Sequence, residues 1–396
     1  MFVLLCLALL QADDLGAVKT IEEYDFSIRT PEGWKAIAVA APALIKLFAP
    51  EGGASITLRH VDGKWPVPMK TFVEDLKAYL VKEVPEHKLT TDEELKVGGY
   101  PARLIVVQGR GKDGKDVVMI KSLVARSLRE FYMVDGTCGA KDVDRVTALL
   151  RKVLDSMKIG LDVPKAEADA VRALPVAAAP AGLVGERWYK VLLRDRKLGW
   201  QRSVVREDKL DGAPAWAFES EQQLAYDDGR TVHRTTGAFT ADGAVQRCEH
   251  ELQIDDPKGK RVYRESITLR AGEASAVRDI NGTKGEARFR VPDRTFLAEV
   301  ADLLRGIVAT KGKAACGLRV LEPFRDEPLI EIMEVGAAEA AKVNGEDRDI
   351  ATVLVKFARR QQLQYLYDGK SGSLVRLTSG GSVFQVLACT RDEAQK

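Results

Sequence analysis

Metal-ligating side chains are scarce in this sequence, with four histidines and five cysteines among 396 residues. Three of them, His233, Cys248 and His250, fall close together in a segment that reads as strands. On one strand face they would make half of a zinc site, which needs a third or fourth ligand and hydrogen bonds that hold the ligands in place. No such ligand is evident nearby, so the expected state is hydrogen bonding in a partly polar interior, with no metal and no cofactor. Glu219 and Glu221 stand two apart, hence on one face of a strand. Paired carboxylates hydrolyse glycosides only when they flank a substrate in a cleft; here the face is charged and solvation explains it. Gly109-Arg110-Gly111-Lys112-Asp113-Gly114 matches G-x-G-x-x-G. A dinucleotide loop must open onto a helix, whereas Val117-Val118-Met119-Ile120 reads as a strand, so a hairpin turn is expected. Asn281-Gly282-Thr283 has the form of a glycosylation sequon but reads as a turn. No G-x-S-x-G, H-E-x-x-H or P-loop occurs. Neither catalytic residues nor an enzyme is expected.

Composition agrees with that restraint. Hydrophobic residues make up 45% and charged residues 30%, which argues against wholesale disorder. Lys+Arg 60 against Asp+Glu 58 leaves a net charge of +2, with no basic stripe, so no nucleic-acid partner is expected. Phe2 to Leu10 form one apolar run, FVLLCLALL, too short to span a bilayer and suited to the core of a secretory signal peptide. Residues 1–12 are read as that signal, which places the mature protein in the periplasm or outside the cell. No later segment reads as a membrane span. Cys138, Cys248, Cys316 and Cys389 would remain, far apart and outside any CxxC pair. They read as buried small hydrophobes, or as one bond in the second half whose pairing spacing does not decide.

Residues 161–185 are rich in Ala and Pro and lack aromatics, as a linker would. Residues 13–160 and 186–396 are then two domains. The first reads as strands at 24–28, 36–40, 44–48 and 54–61, a helix at 69–82, strands at 93–97, 102–108, 117–125 and 130–134, and a closing helix at 141–157. The segments YDFSIRTPEGW, GGYPARLIVVQG and VTALLRKVLDSMKI resemble the PsbP-like (DcrB-like) fold over residues 20–160. That resemblance implies an αβα sandwich on an antiparallel sheet and a non-enzymatic binding or accessory role.

The second domain reads as a run of hairpins, with turn dipeptides at Asp211-Gly212, Asp228-Gly229, Asp242-Gly243 and Asn281-Gly282, all suited to type I′ turns. Centring turns on Asp228-Gly229 and Asp242-Gly243 sets Leu224 opposite His233, Phe218 opposite Phe239 and Thr235 opposite His250. One face then carries Trp216, Phe218, Leu224, His233, Phe239, Cys248, His250, Leu252 and Ile254. The other carries Glu219, Glu221, Arg234, Arg247, Glu249 and Glu251. A helix is expected over Asp293–Thr310, with Phe296, Val300, Leu303, Leu304 and Ile307 on one stripe, packed on the concave side of a curled sheet. The opening YKVLLRDRKLGWQRSVV and the ending LQYLYDGKSGSLVRL resemble LolA/LppX-like half-barrel envelope proteins, in which the concave face holds a lipid or acyl chain.

The expected fold class is therefore α+β: a sandwich followed by an antiparallel half-barrel with an inserted helix. The expected function is that of an exported, non-enzymatic envelope protein binding an apolar or lipid ligand in the concave face. The candidate ligand-binding residues are Trp200, Trp216, Phe218, His233, Phe239, His250, Leu252, Phe296, Leu303 and Leu304. The alternative is an interaction module, docking an envelope protein partner on a sheet whose interior is solid core.

Overall fold

In a computed structural model the chain divides into two compact units, Met1–Asp162 and Val163–Lys396. The structure describes residues 15–21, 24, 26–39, 43–63, 66–84, 86–110, 114, 116–160, 183–310, 312, 314–343, 346–357, 361–379 and 384–396. The apolar run before Leu15 and nearly all of the Ala/Pro segment lie outside the described residues, as do three residues of the G-x-G-x-x-G loop. The class is α+β, dominated by antiparallel sheet.

The first unit carries a seven-stranded antiparallel sheet in the spatial order 35–38, 43–48, 55–62, 130–138, 116–125, 100–110, 86–97. Leu104, Ile105, Val106 and Val107 are buried in unbroken succession. Such a run replaces the in–out alternation because both faces of the strand are covered. Helix α1 (Met69–Glu83) packs Val73, Leu76 and Leu80 with Ile105, Val107 and Phe131. Helix α2 (Val143–Asp155) packs Val146, Leu149, Leu150 and Val153 with Leu104, Val106, Ile120 and Tyr132 on the other face. A small sheet of 15–21, 26–31 and 158–159 stands beside the main one. The edge strand begins at Glu86, earlier than the sequence suggests. Its charged, largely exposed side chains conceal the alternation on which strand recognition rests. Strands 100–110 and 116–125 pair directly, Arg110 opposite Asp116, so the glycine-rich segment joins a hairpin and opens no helix.

The second unit is one sixteen-stranded sheet. Its path runs 283–290, 273–280, 259–270, 245–256, 229–240, 213–226, 196–210, 185–193, then 384–389, 374–379, 361–368, 346–357, 329–335, 314–321 and 295–297, and the sixteenth strand, 339–343, pairs with 346–357 off this path. The sheet curls without closing into a barrel. Every pair is antiparallel except 295–297 with 314–321. Asp211 (φ 51°) with Gly212 (φ 84°), and Asn281 (φ 53°) with Gly282 (φ 88°), hold the left-handed pairs of type I′ turns. Asn281 Oδ1 also accepts from the Val262 amide at 2.9 Å, which makes this residue part of a turn rather than a free acceptor.

Two turns differ from expectation. Tyr226 pairs with Gly229, so Asp227-Asp228 is the loop and the register lies two residues from that set by Asp228-Gly229. Leu224 faces Thr231, and Phe218 faces Gly237. At the second turn Thr235 does face His250, but strand 229–240 ends at Thr240 and the next begins at Val245, leaving a four-residue loop. The Thr240 hydroxyl accepts from the Val245 amide (3.0 Å) and donates to Asp242, stabilising the wider turn. A slip of two preserves every side chain's face, since the strand period is two. The apolar and charged faces are therefore those read from the sequence.

Helix α3 spans Ala298–Ala309, shorter than the expected 293–310. Gln246, almost wholly buried, explains the difference. Its amide donates to Thr295 O (3.1 Å) and its oxygen accepts from Leu297 N (2.9 Å), so the backbone at 295–297 is held extended, as a strand. The helix is buried around most of its girth, from Val300 and Ala301 to Val308 and Ala309. It shares one core with Phe218, Phe239 and Ile267 from one arm of the sheet and Met333, Val353 and Tyr365 from the other.

Candidate functional site

The second unit's interior divides into a dry part and a polar part. Phe218, Phe239, Phe296, Val300, Leu304 and Ile307 pack in one continuous cluster, with Trp216 and Leu303 at its margin. Leu252 is buried between its ladder neighbours His233 and Tyr263, outside that cluster. Trp200 does not belong with them. Its partner in the ladder is Gln223, which places it on the charged face, where its ring meets that of Trp188 at a tilt, 5.3 Å between centroids. Hydrophobicity misplaced Trp200; the alternation from Leu224 through Gly199 assigns its face.

Beside Leu303 the packing opens into a cavity of about 230 Å³. Leu374, Leu377 and Val386 form its apolar wall; Arg187, Gln201, Ser203 and Asp302 supply polar groups. Tyr365 and Tyr367, stacked 5.9 Å apart, also line it. Arg305 lies over the Tyr365 ring at 5.2 Å and forks onto Glu331, with Nε to Oε2 at 3.0 Å. Both oxygens of Glu331 are thereby occupied, and a buried charge so paired is not available as an acid or base. Glu265 is likewise committed, to Arg278 Nε (2.6 Å) and to the Phe324 amide (2.8 Å).

The predicted His/Cys face holds a further arrangement. Cys248 and His250 project inward from one strand, and Glu299, in the first turn of α3, meets them. Glu299 Oε2 lies 3.7 Å from Cys248 Sγ, and Oε1 lies 3.6 Å from His250 Nδ1. His233 stacks on His250 at 5.8 Å, and the Thr235 hydroxyl touches both rings at 3.4 Å. Burial pushes Glu299 up to about 7, lowers His250 to about 4 and raises the Cys248 thiol. This third group was missed in the sequence because it stands 51 residues beyond Cys248. The available signal was an acid in the first turn of the helix, and its meaning as a helix-dipole partner was sufficient.

Two sequence features keep their simple readings. Glu219 pairs with Arg206 and Glu221 with Arg234 (3.4 Å) on the charged face. All four described cysteines, Cys138, Cys248, Cys316 and Cys389, are free thiols. A site outside the sequence reading is an open cleft of about 780 Å³ in the first unit, between α1 and the 86–110 hairpin. Lys70, Glu74, Lys77, Glu94, Lys96 and Arg103 line it. Asp92 bridges Lys77 and Arg103 beside the cleft, and the Arg103 guanidinium holds its carboxyl below the usual range.

No protein-family profile and no curated protein matches the chain. Among solved structures, cyanobacterial PsbP (CyanoP) from Synechocystis sp. PCC 6803 is similar over 36% of this chain and 91% of that one, at 12% identity and TM-score 0.31. A beta-barrel-like protein of a domain of unknown function from Brucella abortus covers 52% of this chain and 95% of its own, at 14% identity and TM-score 0.38. A protein of unknown function from Pseudomonas aeruginosa covers 38% and 96%, at 15% identity and TM-score 0.25. At these scores the matches carry no functional argument. Among the described residues no helix is long and apolar enough to cross a membrane.

Proposed function

We propose that this is an exported, non-enzymatic accessory protein whose half-barrel takes up part of an amphiphile. Binding is confined to the pocket beside Leu303 and does not extend across the whole concave face. The observation that carries the reading is the 230 Å³ cavity, apolar on the Leu374, Leu377 and Val386 side and polar at Arg187 and Asp302. That volume lies below the usual range for small-molecule sites, about 300–1,000 Å³, so it suits the end of an acyl chain better than a whole lipid. The export part rests on the apolar run Phe2–Leu10. The non-enzymatic part draws support from Glu265 and Glu331, two buried acids already committed to arginines. The two units are proposed to fold independently, joined through the Ala/Pro segment.

Native mass spectrometry of the full chain purified from its own cells tests this. The expected result is a mature mass lacking about a dozen N-terminal residues and a retained amphiphile that Leu377→Trp displaces. A folded protein with no adduct, or an adduct indifferent to Leu377→Trp, overturns the ligand reading. The alternative, a rigid platform for a partner protein, is favoured by the continuous packing of Phe218, Phe239, Phe296 and Leu304, and would then stand.

A further inference from the structure

We propose that Cys248, His250 and Glu299 form a binding site for one zinc-class divalent ion at the start of α3. The geometry carries it. Around a tetrahedral ion with Zn–S of about 2.3 Å and Zn–N or Zn–O of about 2.0 Å, ligand atoms stand about 3.3–3.6 Å apart. Here one Glu299 oxygen, Oε2, lies 3.7 Å from Cys248 Sγ and the other, Oε1, lies 3.6 Å from His250 Nδ1. All three donor atoms lie within 4.8 Å of one another. A rotation of the Glu299 carboxylate that brings one oxygen towards both partners would close the triangle. The fourth corner is left to water, as in open zinc sites. The Thr235 hydroxyl now lies 3.4 Å from the same His250 Nδ1 and would give up that contact to the ion, while His233 stacks on the His250 ring.

The charges also match. Cys248 is 1% and His250 4% exposed, and the Glu299 side chain is 17% exposed. Among the described residues no lysine or arginine pairs with Glu299, unlike Glu265 and Glu331, which each hold an arginine. A buried carboxylate without a cation is costly. When an ion binds, the Cys248 thiol releases its proton to solvent. Thiolate, carboxylate, neutral imidazole and a divalent ion then sum to zero charge. A mixed S, N, O set suits zinc and its spectroscopic stand-in cobalt, whereas calcium and magnesium take oxygen ligands. Glu299 stands one helical turn before Leu303, and none of the three ligands lines the cavity there, so the site does not depend on the amphiphile reading.

The test is expression of the tag-free full chain in zinc- or cobalt-supplemented medium, because so buried a site is loaded on folding. The expected result is about one ion per chain and, with cobalt, a thiolate-to-metal charge-transfer band. Cys248→Ser, His250→Asn and Glu299→Gln should each lower occupancy tenfold or more, about the least that disturbing a metal's supporting shell costs. Cys389→Ser, on a distant strand, should retain the ion and the band. Gel filtration and circular dichroism identify variants that fail to fold; any one folded ligand variant suffices. Folded wild-type protein without metal, or a charge-transfer band that survives Cys248→Ser, overturns the proposal.

Discussion

Gly306 sits in the middle of α3, and replacing it with alanine sets local preference against tertiary packing. By helix propensity alone Gly306→Ala should stabilise by about 1 kcal/mol. The added Cβ, however, would lie 2.4 Å from Gly372 O and 3.4 Å from Leu183 Cδ2. An ordinary carbon–oxygen contact needs about 1 Å more. The loop cannot yield easily: Asp368 Oδ1 accepts from the amides of Lys370 (3.1 Å) and Ser371 (2.8 Å), and Gly372 N donates to Asp368 O at 2.8 Å. Nor can the helix retreat, because neighbouring Arg305 is locked to Glu331 and the opposite side is core. Overpacking of this kind costs about 1–3 kcal/mol. The net expectation is a loss of about 0–2 kcal/mol, read as a lower urea midpoint with unchanged slope. A midpoint that rises by the full propensity gain would refute the close approach of helix and loop.

Two further outcomes follow from the same core. Leu304→Ala should cost about 2–5 kcal/mol, because Leu304 is enclosed, while Leu303→Ala at the cavity wall should cost visibly less; equal losses in a denaturant titration would mean the cavity is filled. Burial pushes Tyr189 up to about 12 and raises Tyr365 and Tyr367, so in the folded state these phenols stay neutral past the ordinary value of 10. The folded state then binds more protons than the unfolded one above pH 10. Stability from Tyr189 is full below that pH and is lost as pH rises towards 12, by about 2.7 kcal/mol at most. Tyr189→Phe should flatten the alkaline limb of the stability curve, and an unchanged limb would contradict the burial argument.

Much of the half-barrel was legible in the sequence for a definite reason. In-and-out alternation has period two, so the faces of strands 213–226, 229–240 and 245–256 survive even a misplaced turn at Asp228-Gly229. The same rule, extended one strand further, would have moved Trp200 off the concave face. Both helices of the first unit were visible from their apolar stripes, because nothing competes locally with helix there. The start of α3 was not, since the side chain of Gln246, distant in sequence, satisfies the backbone at 295–297.

The sequence by itself determined which residues of strands 213–226, 229–240 and 245–256 face inward and that one amphipathic helix must be covered by the sheet. Only the tertiary structure decided what those inward residues meet. Strand 185–193 pairs with 384–389, joining the two ends of the second unit and setting how the sheet curls. The curl packs α3 against both arms, leaves the cavity at Leu303 and brings Glu299 onto Cys248 and His250. Local periodicity encodes direction relative to a surface. The distance between two surfaces depends on the twist accumulated along all the intervening strands, and no short stretch of residues records that.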